Sequence, residues 1–367
     1  MSNRKSSAVY LVVDPGASLT KAIYRLGRRG NPKYIDMRSS LQRAINGEAG
    51  MNLSFGDEQW IIGSNASENR QENLNLLKAE VLLPKVLGVL GKIAKEEQLK
   101  DISLRLGILL PYGEMADAEF VKGKIEKSAG KVTYEGLVFQ HCLSVPPIIS
   151  PETKGIWSIL PKEDKEQSIG ILMAGYRNAS YCQYENGVLN TRLTKTSYHG
   201  FSKAVETIVA NSSGLSPELV LGGLKTSEEK DNHAGRIIST GRYRSSIVPE
   251  EIKTVSQSQD TEFKALKIRE LKNAIEIGLE TYRRDVKSWL DQSIDPESRP
   301  TKLVLCGGSS NFLTEVRFSV SRTCNITAKI ADLMNTIEFK DQERQNFISA
   351  NLPIRLLDAW GLYLALW

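Results

Sequence analysis

The stretch Ala8-Val9-Tyr10-Leu11-Val12-Val13-Asp14-Pro15-Gly16-Ala17-Ser18-Leu19-Thr20-Lys21 decides how this sequence is read. Its first half, Ala8 to Val13, is β-branched and apolar with no polar alternation, the pattern of a strand buried on both faces. Asp14 to Ser18 is a turn around Pro15 and Gly16, and from Thr20 to Arg25 apolar and polar residues mix as in a second strand. The order is strand, turn, strand.

A glycine in such a turn lets backbone N–H groups converge on an anion, because a chain without Cβ can approach a phosphate closely. Asp14 ends a buried strand, where an unpartnered carboxylate is costly, and Lys21 follows on the next strand. This pair suits a polyphosphate with Mg2+, the carboxylate holding metal waters and the ammonium countering phosphate charge. The same residues also suit a plain β-hairpin with a capping aspartate and a surface lysine.

Outward from this stretch the chain mixes strands and helices. Glu58 to Gly63 reads as a short strand. From Glu72 to Gln98 apolar residues recur at helical spacing, with Pro84 expected to end or begin a helix. Ile102 to Leu110 and Ser168 to Met173 read as buried strands, and Pro146, Pro147, Pro151 and Pro161 mark a loop-rich passage between them with room for a hinge. Ser202 to Ala210 reads as a helix. Gln257 to Leu290 reads as a long amphipathic one with Phe263, Leu266, Leu271, Ile275, Tyr282, Val286 and Trp289 on one side. After the linker Asp295 to Pro300, Lys302 to Cys306 is again a buried strand. Three strand-to-glycine turns emerge, at Asp14–Ser18, Met173–Arg177 and Cys306–Ser310. The first two open onto strands and the third onto a helix, so the class is α/β.

The 367 residues allow two or three cores at about 150 residues per domain. With 41% hydrophobic and 25% charged residues, collagen-like, disordered and coiled-coil classes are excluded. A net charge of +5 is small for this size and does not point to direct nucleic-acid binding. Cys142, Cys182, Cys306 and Cys324 form no CxxC pair, which fits a reduced, cytoplasmic protein. Three histidines without an HExxH motif argue against a histidine-built metal centre. The N-terminal apolar run meets Asp14 too soon for a signal peptide. The longest apolar run, Ala359 to Trp367, is about half of the ~20 residues a bilayer needs, so no transmembrane segment is expected.

Asp14-x-Gly16-x-Ser18-x-x-Lys21 after an N-terminal strand resembles the first phosphate loop of the actin, sugar-kinase and heat-shock-chaperone ATPase superfamily. Gly175 in Leu172-Met-Ala-Gly-Tyr-Arg-Asn178 resembles its second phosphate loop, and Gly307-Gly308-Ser309-Ser310 its adenosine motif. Leu356-Leu-Asp-Ala-Trp-Gly-Leu362 is similar to its C-terminal connecting helix. Trp60-Ile-Ile-Gly-Ser-Asn-Ala66 and Gly107-Ile-Leu-Leu-Pro111 resemble stretches of the bacterial actin-like ParM/StbA plasmid-segregation family. The resemblance implies an actin-like two-lobed ATPase fold, with ATP and Mg2+ in a cleft between the lobes and nucleotide-driven polymerisation. It places the first lobe at 1–165 plus 341–367 with a small subdomain at about 30–100, and the second at 166–340 with a small subdomain at about 203–275.

The resemblance also assigns roles. Asp14, Gly16, Ala17, Ser18 and Lys21 form the first nucleotide-binding turn, with Asp14 serving the metal. Gly175, Tyr176, Arg177 and Asn178 form the second. Gly200 falls where the family passes a backbone glycine near the nucleotide and starts a helix, and Gly307, Gly308 and Ser309 complete the set. Met173, however, stands where the family has an acidic residue that helps hold Mg2+ waters, and Tyr176 and Arg177 replace small or acidic residues. Arg177 either meets phosphate as a bidentate donor or turns outward. Glu152 in Ser150-Pro-Glu-Thr153 resembles the segment bearing the catalytic glutamate of ParM-like proteins; it reads otherwise as an exposed loop glutamate.

The implied function is a nucleotide-dependent, filament-forming protein and weak ATPase. It would act in DNA segregation through an adaptor protein, or in cell shape or organisation. A small-molecule kinase of the same superfamily and a nucleotide-binding interaction protein that does not polymerise are the alternatives.

Overall fold

A computed structural model of the chain describes residues 7–44, 50–66, 76–231, 238–326, 328–339 and 343–367. The chain divides into two compact units: Met1–Ile159 with Asn335–Glu338 and Leu356–Trp367, and Leu160–Met334 with Phe339–Arg355.

In the first unit the strands are β1 (Ser7–Pro15), β2 (Leu19–Leu26), β3 (Lys33–Arg38), β4 (Leu41–Arg43), β5 (Leu53–Phe55), β6 (Glu58–Ile62), β7 (Asp101–Leu110), β8 (Gly130–Tyr134), β9 (Leu137–Leu143) and β10 (Ile148–Pro151). They form one sheet in the order β3-β2-β1-β7-β9-β8-β5-β6-β4, with β10 beside β7. β1 runs parallel to β7 and antiparallel to β2, in a register that sets Asp14 opposite Lys21.

The unbroken apolar run of β1 follows from its position. Val9, Leu11 and Val13 join a core with the Lys78–Glu96 helix. On the other face, a Cβ on Gly107 would stand 3.2 Å from the Val12 side chain and 2.8 Å from Leu366 of the Leu352–Leu366 helix. Trp360 and Tyr363 of that last helix are buried, and Trp367 packs edge-on against Tyr10, so these aromatics pack within their own unit.

The Lys78–Glu96 helix corrects one expectation, since it runs straight through Pro84. An interior proline costs roughly 3 kcal/mol. Here the helix buries Val81, Leu82, Val86, Leu87, Val89, Leu90 and Ile93, at about 1.5–3 kcal/mol per large apolar side chain, and packing wins.

In the second unit β11 (Ile169–Ala174), β12 (Ala179–Glu185), β13 (Val188–Ser197), β14 (Leu224–Asp231), β15 (Ile238–Ile247), β16 (Lys302–Cys306) and β17 (Thr323–Asn325) form a sheet in the order β13-β12-β11-β16-β17 and a hairpin of β14 with β15. β11, β16 and β17 are parallel, and β12 runs antiparallel to its two neighbours, β11 and β13. The 33-residue helix Thr261–Ser293, capped by the Asp260 carboxylate, lays Leu271, Ile275, Tyr282, Val286 and Leu290 into the core. Phe263 and Leu266, expected on the same inward side, are exposed instead, because the helix starts before the core does.

The turn after β16 also departs from expectation, leading into a short 3-10 turn, Ser310–Leu313, and not an α-helix. The Ser310 and Phe312 N–H groups donate to the Gly307 and Ser309 carbonyl oxygens three residues back. The Phe312 carbonyl oxygen accepts from Arg283 Nε at 2.9 Å.

Candidate functional site

The turn between β1 and β2 is built on charge. Lys21 Nζ lies 2.6 Å from Asp14 Oδ2, so the reading of a plain hairpin with a surface lysine does not hold: both side chains are buried. Lys78, at the start of its helix, donates to Asp14 Oδ1 at 3.0 Å and to Glu152 Oε1 at 2.5 Å. Burial by itself would raise the Asp14 carboxyl, but the Lys21 and Lys78 ammoniums beside it hold it well below the usual carboxylate range. Burial likewise opposes the Lys78 ammonium, and the Asp14 and Glu152 carboxylates outweigh it and raise the group. Gly16, Ala17 and Ser18 are half-buried. The Gly16 N–H donates to the Asp14 carbonyl oxygen, and its own carbonyl oxygen accepts from Ser39 Oγ at 2.5 Å and from buried Lys85 at 3.2 Å.

Glu152 is buried, not an exposed loop residue. Three features fix it: its N–H donates to the Leu110 carbonyl oxygen at 2.6 Å, it follows directly on β10, and Thr153 after it takes φ +79°. Positive φ is a genuine outlier for a β-branched residue, a strain that clusters at functional sites and persists only where surroundings over-determine it. Here Asp358 supplies that restraint, its carboxylate accepting from the Thr153 N–H at 2.8 Å and the Ile156 N–H at 2.9 Å at the start of the Lys154–Ile159 helix.

In the second unit three segments distant in sequence meet. The Gly175 N–H donates to the Asn178 carbonyl oxygen, closing the turn between β11 and β12. The Gly175 and Tyr176 carbonyl oxygens accept from the Phe201 and Ser202 N–H groups as the Ser202–Ala210 helix begins. Gly200 sits so tightly there that a Cβ would stand 2.2 Å from the Arg177 backbone. Gly307 takes φ +89°, and its Cβ would meet the Ala174 carbonyl oxygen at 2.5 Å. Next to it the Ser309 N–H donates to that same oxygen at 3.1 Å. Ser309 Oγ donates to the Gly175 carbonyl oxygen, which leaves the Tyr282 hydroxyl, 2.7 Å away, as the donor to Ser309. The Gly308 carbonyl oxygen accepts from Asn351 Nδ2 at 2.7 Å. Arg177 is half-buried.

The residues expected to serve Mg2+ do not fit a divalent ion held by the protein. Each Asp14 oxygen already faces an ammonium, Lys21 at Oδ2 and Lys78 at Oδ1, so a metal would have to displace one of them.

Lys78 and Lys85 escape a motif search because neither belongs to a glycine turn, and Asp358 lies inside the Leu356–Leu362 motif, which gave it no role of its own. The signal that could have found the lysines is their recurrence at i and i+7 on an otherwise apolar helix face shared with Leu82.

No family model and no curated protein matches this sequence. Solved structures do resemble it. The archaeal actin homolog Ta0583 in complex with ADP is 17% identical, covering 97% of this chain and 98% of that one, with a TM-score of 0.55. A 15-stranded ParM filament from Clostridium botulinum is 12% identical, covering 98% of each chain, with a TM-score of 0.59. Bacillus thuringiensis ParM with AMPPNP is 14% identical, covering 98% of this chain and 99% of that one, with a TM-score of 0.54. At such identities the likeness is one of fold: the chain has the actin-like α/β fold of ParM-type proteins and archaeal actin homologs.

Proposed function

We propose that this chain is an actin-like protein that binds ATP and assembles with itself into filaments. The observation that carries the reading is the convergence of Gly175, Gly200 and Gly307–Ser309 in one unit, on a fold shared with structures that hold ADP or AMPPNP. The phosphate-binding groups are the Asp14–Lys21 turn of the first unit and the Gly175–Asn178 turn of the second, and the adenosine turn is Gly307–Ser309. Lys21 counters phosphate charge, and Arg177 adds a second cation. Glu152 is the group that positions the attacking water, since phosphoryl transfer depends on positioning and charge stabilisation. Hydrolysis is slow because Met173 takes the place of a carboxylate.

Self-association is supported by filaments among the structural neighbours. Cargo, DNA or a cellular structure, is reached through an adaptor protein in the cytoplasm. Among the described residues no helix is long and apolar enough to cross a membrane.

The test is high-speed pelleting of the purified chain with ATP, with AMPPNP and without nucleotide, checked by electron microscopy. Filaments are expected with both nucleotides and none without. A chain that binds ATP but stays monomeric at every concentration would establish the alternative, a nucleotide-binding interaction protein.

A further inference from the structure

Lys78 is the least expected member of the charged cluster. Its ammonium lies between two carboxylates that no sequence motif joins to it, 3.0 Å from Asp14 and 2.5 Å from Glu152, and all three side chains are buried. A divalent ion in a phosphate site does two things: it links phosphate to protein carboxylates, and it cancels the repulsion between those carboxylates and the polyphosphate. In this chain the second task is already done. Asp14 is paired with both Lys21 and Lys78, Glu152 is paired with Lys78, and Lys85 adds a further cation at the Gly16 carbonyl oxygen.

We propose that Lys78 is a built-in counter-cation that replaces the charge of a divalent ion, so that the chain binds nucleoside triphosphate with little dependence on Mg2+. The inference rests on the nucleotide-binding reading above and adds to it a specific role for a positioning residue. Lys78 holds both carboxylates neutralised before the nucleotide arrives. The incoming phosphates meet ammonium groups already in place, and little of their binding energy is taken up in rearranging charge.

The experiment measures binding of a fluorescent ATP analogue to the full chain by anisotropy, once with Mg2+ and once with excess EDTA. The wild-type dissociation constant is expected to change by less than about tenfold between the two. Lys78→Arg should keep this ratio. The paired variant Lys78→Gln with Glu152→Gln leaves the net charge unchanged and spares the fold an uncompensated buried carboxylate at position 152. It removes the carboxylate together with its counter-charge and so should keep the wild-type ratio, whereas Lys78→Gln alone should bind with Mg2+ and weaken by more than about tenfold in EDTA. A wild-type chain that binds with Mg2+ but loses the analogue in EDTA overturns the inference and leaves nucleotide binding intact. An unchanged ratio in Lys78→Gln alone overturns the assignment to Lys78. Absence of binding under both conditions overturns the nucleotide-binding reading itself.

Discussion

A carboxyl that caps a helix while lying near two other carboxylates is pulled both ways, and Asp358 is that residue. Burial pushes it up, the Thr153 and Ile156 N–H groups pull it down, and the charges of Asp14 and Glu152 raise it again, leaving it at about 7. The sign of the consequence follows. The unfolded chain releases this proton near pH 4, whereas the folded chain keeps it up to about pH 7. Between those values the folded state binds more protons, so the group lowers stability as pH rises through the window. Asp14 acts oppositely, since its depressed carboxyl contributes stability above about pH 4 that is lost on acidification. Asp358→Asn keeps one acceptor for the helix start and removes the titration. The urea midpoint of the wild type should therefore fall relative to that of Asp358→Asn between pH 5 and pH 7.5, a window set by the raised carboxyl. Parallel profiles would show that Asp358 does not titrate there.

At the scale of elements, the glycine turns were legible and their supports were not. β1, β11, β16 and the second half of β7 declare themselves because a strand covered on both faces is apolar without interruption. The Asp14–Lys21 pairing is legible because a short turn between antiparallel strands fixes its register. What stayed hidden depends on long-range packing: the helix that carries Lys78 runs through a proline that local rules read as a boundary. Lys78 lies 64 residues from Asp14 and 74 from Glu152, so no local spacing records their meeting. The convergence at Gly200 gives a test of how far the turns depend on each other. Gly200→Ala places a methyl 2.2 Å from the Arg177 backbone, so the Tyr176–Ser202 bond or the turn itself must move. The variant should unfold several degrees below the wild type, as a loss of about 1–3 kcal/mol implies, and its affinity for ATP should fall with it. A Gly200→Ala chain that melts and binds as the wild type does would separate this turn from the nucleotide.

For the whole molecule the question is how assembly relates to turnover, and the residues proposed for nucleotide binding and hydrolysis are spread over both units. Asp14, Lys21, Lys78 and Glu152 belong to the first, and Met173, Gly175, Gly200 and Gly307 to the second. If nucleotide binding alone drives assembly and hydrolysis sets how long filaments last, residues of the two kinds separate in experiment. Glu152→Gln should lower phosphate release by about tenfold or more while filaments still form with ATP. Met173→Asp should act in the other direction, supplying the missing carboxylate, raising phosphate release and shortening the time for which the chain pellets after ATP is exhausted. Met173 also fills space, with its sulfur 3.8 Å from Cys306 Sγ and close against Gly307. Met173→Leu is therefore the control: it keeps the volume without the charge and should leave both rates near wild type. Equal changes in the aspartate and leucine variants would trace the effect to packing. A rise confined to the aspartate variant would show that a carboxylate at position 173 speeds hydrolysis.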